Sequence, residues 1–132
     1  MGVPLSPPVQ RFLAEKVIAH LSTLMRDGSP QVTPLWVETD GENLLINTAA
    51  GRLKAKNMQR DARVALSIMG LSNPNRALYV RGLVKEITER GANEQIARLA
   101  AKYTGAAAYR LRPGEQRLKV VIEPVRVLAK GV

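Results

Sequence analysis

Apolar and polar positions alternate along most of this chain and switch to a spacing of three and four in only a few places. Val9, Phe12 and Leu13 mark one face of a short helix, with Ser6 as its N-cap and Pro7 and Pro8 at its first positions; it is expected to end near Lys16. Residues 17–25 then read as a strand, Arg26-Asp27-Gly28-Ser29 as a turn and 31–39 as the returning strand of a hairpin. A second turn at Asp40-Gly41-Glu42 leads into a strand over 43–48, carried by Leu44, Leu45 and Ile46. After a basic helical segment at 51–59, Asp61 opens a turn into a strand over 64–69, and Asn73-Pro74-Asn75 separates it from another over 77–88. Ile96, Leu99, Ala100 and Tyr103 share one face of a longer helix that stops at Gly105, where a positive-φ cap costs little. Residues 106–116, with Arg110, Arg112 and Pro113-Gly114, read as a loop. The last strand covers 118–123, with Pro124 placed where a ladder would be interrupted.

Six strands, tight turns and few helices predict a mainly β (α+β) fold: a six-stranded antiparallel sheet, closed or nearly closed as a barrel, with short flanking helices. A chain of 132 residues suits one domain, residues 1–132, around one core. So small a barrel has little room inside, which places a large planar ligand on its outside or between two subunits.

Charge narrows the choice of partner. The formal net charge is +9, which favours an anionic partner without naming it. The basic residues are spread from Arg11 to Lys130 with no block of like charge. The aromatic set of Phe12, Trp36, Tyr79, Tyr103 and Tyr109 offers no stacking platform for bases, so nucleic acid is the less expected partner. Cysteine is absent, which excludes disulfides, thiol nucleophiles and thiolate metal sites. With no apolar N-terminal run, a cytoplasmic protein without a membrane span is expected, and His20, the only histidine, reads as structural rather than as one of a metal-binding pair.

The strongest chemical feature is Asn47-Thr48-Ala49-Ala50-Gly51-Arg52-Leu53-Lys54-Ala55-Lys56-Asn57, a strand running through small residues into a basic helical start. Unpaired amides and the positive end of the helix dipole favour an anion there. Thr48 can add a hydroxyl, Arg52 a fork and Lys54 a point charge. The same pattern also fits a solvated basic helix with Thr48 as N-cap. Arg52, Lys56 and Arg60 at i,i+4 spacing form a basic stripe that would suit an acidic tail, or long stems covering apolar surface.

Taken in order, the run from Val17 through Pro34-Leu35-Trp36, the Asn47 to Asn57 segment, Arg60-Asp61-Ala62-Arg63-Val64-Ala65-Leu66-Ser67 and Tyr79-Val80-Arg81-Gly82 resemble the flavin-reductase-like split β-barrel superfamily. That superfamily, of the FMN-binding split-barrel type, includes pyridoxamine 5'-phosphate oxidases, and the chain is most similar to its branch of small F420 (deazaflavin)-dependent reductases. The resemblance implies a homodimer with cofactor sites at the subunit interface. It implies that Thr48, Arg52 and Lys54, flanked by Lys56 and Asn57, hold the phosphate, that Asn47 beside them also binds the cofactor, and that Gln31, Val32, Thr33 and Pro34 lie along the ring system. Trp36, Tyr79 and Arg81 become candidates for the substrate pocket or for contact across the dimer. The activity implied is hydride transfer from F420 to a small organic substrate. The alternatives are an FMN-dependent oxidase or reductase and a non-enzymatic cofactor- or nucleic-acid-binding protein. No metal is implied, and no catalytic dyad is identified.

Overall fold

The computed structural model describes residues 2–132. Its elements, in order, are α1 (Pro7–Ala14), β1 (Ile18–Leu24), β2 (Pro30–Leu35), β3 (Glu38–Thr39), β4 (Leu44–Ala49), α2 (Leu53–Arg60), β5 (Arg63–Met69), β6 (Ala77–Thr88), α3 (Ala92–Thr104) and β7 (Arg117–Lys130). The strands make one antiparallel sheet in the order β2-β1-β5-β6-β7-β4-β3.

The described residues hold seven strands, not the six expected, because the stretch read as one strand over 31–39 is two. β2 pairs with β1 at one edge of the ladder, and β3 pairs with β4 at the other. Only Trp36 and Val37 lie between them. Three extended steps span at most about 11 Å, so the sheet must curl until its two edges are neighbours. A split barrel follows from that short link.

The concave side of the curl holds the core. Ala19 and Leu21 of β1, Val64, Leu66 and Ile68 of β5, Leu78 and Val80 of β6, Val120 and Ile122 of β7, and Leu44 and Ile46 of β4 all face it. The period of two in β1 and β5 sends alternate residues outward. α1 adds Val9, Phe12 and Leu13, and Ser6 caps it through the Val9 N–H as the sequence suggests. α3 lies outside the curl against β4 and β7, so β4 is buried on both faces. Gly105, at φ 74°, ends α3 in the conformation glycine adopts most cheaply.

Pro124 does not end the last strand, which runs on to Lys130. The proline sits opposite Gly82 at a register shift, where the ladder already skips a residue and no N–H is required. Gly82 is needed there because a Cβ would come within 2.7 Å of Ile122 Cγ2 and 2.9 Å of the Glu123 carbonyl. Gly82→Ala therefore has to push backbone apart at the bulge, and we expect a loss of about 1–3 kcal/mol in stability. The urea midpoint checks this; an unchanged midpoint would mean that the bulge is soft.

Candidate functional site

A groove of about 280 Å³ opens where the link between β2 and β3 meets β4, the start of α2, α3 and the start of β7. Pro34, Leu35, Trp36, Ile96 and Leu99 give it an apolar wall, and Arg52, Lys54 and Arg117 give it a cationic side. Asn47 and Tyr109 complete the lining.

Trp36 is held from behind. Its ring stacks on Tyr103 at 5.3 Å between centroids and 6° between planes. The Tyr103 hydroxyl donates to the Val17 carbonyl at 2.7 Å and accepts from the Val37 N–H at 3.3 Å. The Lys102 ammonium lies 4.7 Å from the centre of the Tyr103 ring and donates to the carbonyls of Leu13 (2.7 Å) and Val37 (2.8 Å). These bonds tie α3 to the end of α1 and to the strand link. Burial pushes the Lys102 ammonium down to about 8, while the Glu38 carboxylate pulls the other way. Burial also holds Lys54 below the usual lysine value, and the neighbouring Arg52 and Arg117 charges add to that.

Arg117 is oriented by a buried polar chain. Its Nε donates to Asn47 Oδ1 at 2.7 Å, and the Asn47 amide donates to the Ala92 carbonyl and to Gln95 Oε1, both at 2.8 Å. Glu115, 3.6 Å from Arg117 Nη1, is the carboxylate beside this group of three cations. No side chain caps α2, whose N-cap is Arg52. Cations outnumber carboxylates here, and the buried hydroxyls of Thr33 and Thr48 have no hydrogen-bond partner. The three cations and the uncapped start of α2 fit a phosphate-bearing cofactor, whose oxygens accept from such donors, whereas Thr33 and Thr48 do not line the groove.

The structure brings some of the expected residues together and separates others. Asn47, Arg52, Lys54, Pro34 and Trp36 line the groove. Thr48 does not cap α2; it lies in β4 on the side of Leu44 and Ile46, buried. Asn57 is buried, with its amide donating to Thr23 Oγ1 (3.0 Å), and Thr23 in turn donates to Gln31 (3.0 Å). The basic stripe starts at Arg52 in the groove and leads away from it along α2. Lys56 and Arg60 face the turn after β1, and the Arg60 guanidinium donates to the Leu24 carbonyl and to Asn57 Oδ1. Val32, Tyr79 and Arg81 lie on the convex face of the sheet, outside the groove of their own chain. His20 lies there too, and among the described residues no cluster of His, Cys, Asp or Glu suits a metal. No helix of the described residues is long and apolar enough to cross a membrane.

Arg117, Gln95, Lys102 and the back of Tyr103 were not legible as site residues. Arg117 precedes an apolar run like any exposed arginine, and only its pairing with Asn47, 70 positions away, buries it. The spacing of Ile96, Leu99, Ala100 and Tyr103 places Tyr103 on a helix face, but spacing alone does not show that the face carries Trp36.

A family model described as pyridoxamine 5'-phosphate oxidase matches residues 5–129. The fold is similar to that of a solved F420 reductase at 30% identity and a TM-score of 0.78, covering 90% of this chain and 94% of that one. A conserved hypothetical protein from Mycobacterium tuberculosis superposes with a TM-score of 0.78 at 23% identity, covering 98% and 86% of the two chains. The heme storage protein HutZ from Vibrio cholerae does so at 0.69 and 15%, covering 98% and 96%, and shares the fold alone. No curated protein matches the chain.

The Lys102 bonds make a prediction that needs no ligand. Lys102→Met strips two carbonyls of their donor and should cost about 2 kcal/mol at neutral pH. The folded-state pKa, about 8, lies below the ordinary 10.5, so the native state holds fewer protons between those values and the lysine's contribution to stability rises with pH across that window. Urea unfolding of both proteins from pH 7 to 10.5 measures it; a stability difference that is flat with pH would refute it.

Proposed function

The chain belongs to the pyridoxamine 5'-phosphate oxidase family, and from that premise we propose that it is a homodimeric oxidoreductase that binds F420 and reduces a small organic substrate. The observation that carries this reading is the groove in which Arg52, Lys54 and Arg117 meet the apolar wall formed by Trp36 and Leu35. One end suits a phosphate and the other a flat ring. The likeness to an F420 reductase supports the deazaflavin over other ring systems.

Arg52 and Lys54 bind the phosphate, and the main chain of β2 from Gln31 to Pro34 orients the ring. Trp36, immobilised by Tyr103, sets the width of the pocket and excludes water on that side. The chemistry supplied by the bound cofactor is hydride transfer to an activated double bond, imine or carbonyl. The protein's part is position, charge and dryness, for which no catalytic dyad is required.

A second copy completes the site. Val32, Tyr79, Leu83, Val125 and Leu128 are exposed large apolar residues. Two adjoining grooves on the convex face, of about 410 and 480 Å³, share Ser22, Ala65 and Arg81. An apolar face of this kind marks an interface, and a two-fold partner seated on it would bring Tyr79 and Arg81 of one chain towards the site of the other.

One observation favours flavin mononucleotide as the second reading: with Arg60 bonded to Leu24, the stripe that would hold an acidic tail is reduced. Titrating the purified protein with F420 and with flavin mononucleotide, while following Trp36 fluorescence, separates the two. Saturable F420 binding that outcompetes the flavin supports the reductase, and binding of neither refutes both. Arg52→Ala and Lys54→Ala should each weaken cofactor binding by about 1–3 kcal/mol; unchanged affinity in both would remove the phosphate assignment. Leu128→Glu should convert the dimer to monomers in sedimentation, since it places charge in the apolar interface.

A further inference from the structure

Arg117 is only 7% exposed, yet it lines the groove rather than the core. A buried guanidinium needs partners for all its donors, because an uncompensated charge away from water is costly. Here one edge is satisfied by Asn47 at 2.7 Å, and Asn47 is itself fixed by Gln95 and the Ala92 carbonyl. The other edge has only the Glu115 carboxylate, 3.6 Å from Nη1, too long for a hydrogen bond. Glu115 is kept near by Tyr109, whose hydroxyl is 3.4 Å from it and whose ring lies 5.4 Å from the guanidinium. The arrangement is a rigid cation with one weakly held anion, next to a half-buried Lys54 whose charge Arg117 already disfavours.

We propose that Arg117 is an oxyanion-binding residue of the groove, and that Glu115 is an internal carboxylate standing where a ligand oxyanion binds. The ligand group displaces Glu115 and takes the Nη edge in a paired, charge-assisted contact, which arginine provides and lysine does not. The group recognised is a phosphate or carboxylate. It comes from the cofactor if the cofactor reading above holds, and from the substrate otherwise; this inference rests on that reading only for the source.

The test begins without cofactor. Wild type, Arg117→Met, Arg117→Lys and Glu115→Gln are titrated with inorganic phosphate at fixed ionic strength, with Trp36 fluorescence as readout, and circular dichroism shows whether each variant folds. Removing the arginine should weaken binding about tenfold or more, the lysine should restore only part, and Glu115→Gln should tighten binding several-fold by removing the competitor. Phosphate binding that is absent in wild type, or unchanged by Glu115→Gln and by whichever arginine variant folds, overturns the proposal. Riboflavin and its 5'-phosphate are then compared on the same proteins. If Arg117→Lys narrows the preference for the phosphorylated form, Arg117 reads the cofactor. If that preference survives while inorganic phosphate binding is lost, Arg117 reads a substrate anion, and the proposal stands with that source. Wild type that binds inorganic phosphate but neither flavin, nor F420, refutes the cofactor reading alone.

Discussion

Two residues join the opposite edges of a seven-stranded ladder, and the geometry of the molecule follows from their shortness. Trp36 and Val37 cannot reach from β2 to β3 unless the sheet curls back on itself. Once it has curled, Val37 is fully buried and its peptide groups make no backbone hydrogen bond outside the ladder. The backbone still requires hydrogen bonds. They come from α3: Tyr103 and Lys102 bond Val37, and the same two residues bond Val17 and Leu13. Closing the barrel and fixing Trp36 are therefore one event, and the wall of the groove is a by-product of satisfying a strand link that has left its sheet.

β4 imposes the second constraint. A strand with core on one face and a helix on the other has no wet side, so its polar residues must be matched within the protein. Whereas the Thr48 hydroxyl on the other face is buried without a partner, Asn47 is matched threefold, by Ala92, Gln95 and Arg117. An alanine at that position would leave Arg117 buried and unoriented. The asparagine is part of the site because it holds a charge still, which lowers the entropy that a ligand would otherwise lose in fixing a long side chain.

The contrast between what was legible in the sequence and what was not follows the range of the interactions. Ser6 over Pro7 and Pro8, the face of α3 ending at Gly105 and the alternation in β1 and β5 are local patterns, and the fold class follows from them. Arg52 and Lys54 were legible because a basic run after a strand is a local signal too. The division of 31–39 into two strands was not, since it is decided by where β3 finds its partner rather than by any residue within the stretch. Pro124 misled for a related reason: a proline stops a ladder only where an N–H is needed, and the bulge opposite Gly82 removes that need. Lys56, Arg60 and Asn57 share a basic segment with Lys54, yet a helix turns their side chains to different surroundings. Arg60 and Asn57 secure α2 to the hairpin of β1 and β2.

That division of labour along α2 explains how so basic a segment can be both anchored and open to a ligand. The residues towards its C-terminal end bond the hairpin, through Asn57 to Thr23 and Arg60 to Leu24. Those at its start stay near Arg117 with too few carboxylates to neutralise them. Gathering like charges in a half-buried groove raises the free energy of the unliganded fold: the Lys54 ammonium is depressed first by burial and further by Arg52 and Arg117. An anion that binds the folded state alone relieves it and so stabilises the protein by linkage. The net charge of +9 by itself explains no such arrangement, because charge spread over a surface is screened within about 10 Å by salt. The fold brings together three charges that sequence places at 52, 54 and 117, and a surplus maintained at that cost in stability is best understood as the complement of a ligand's charge.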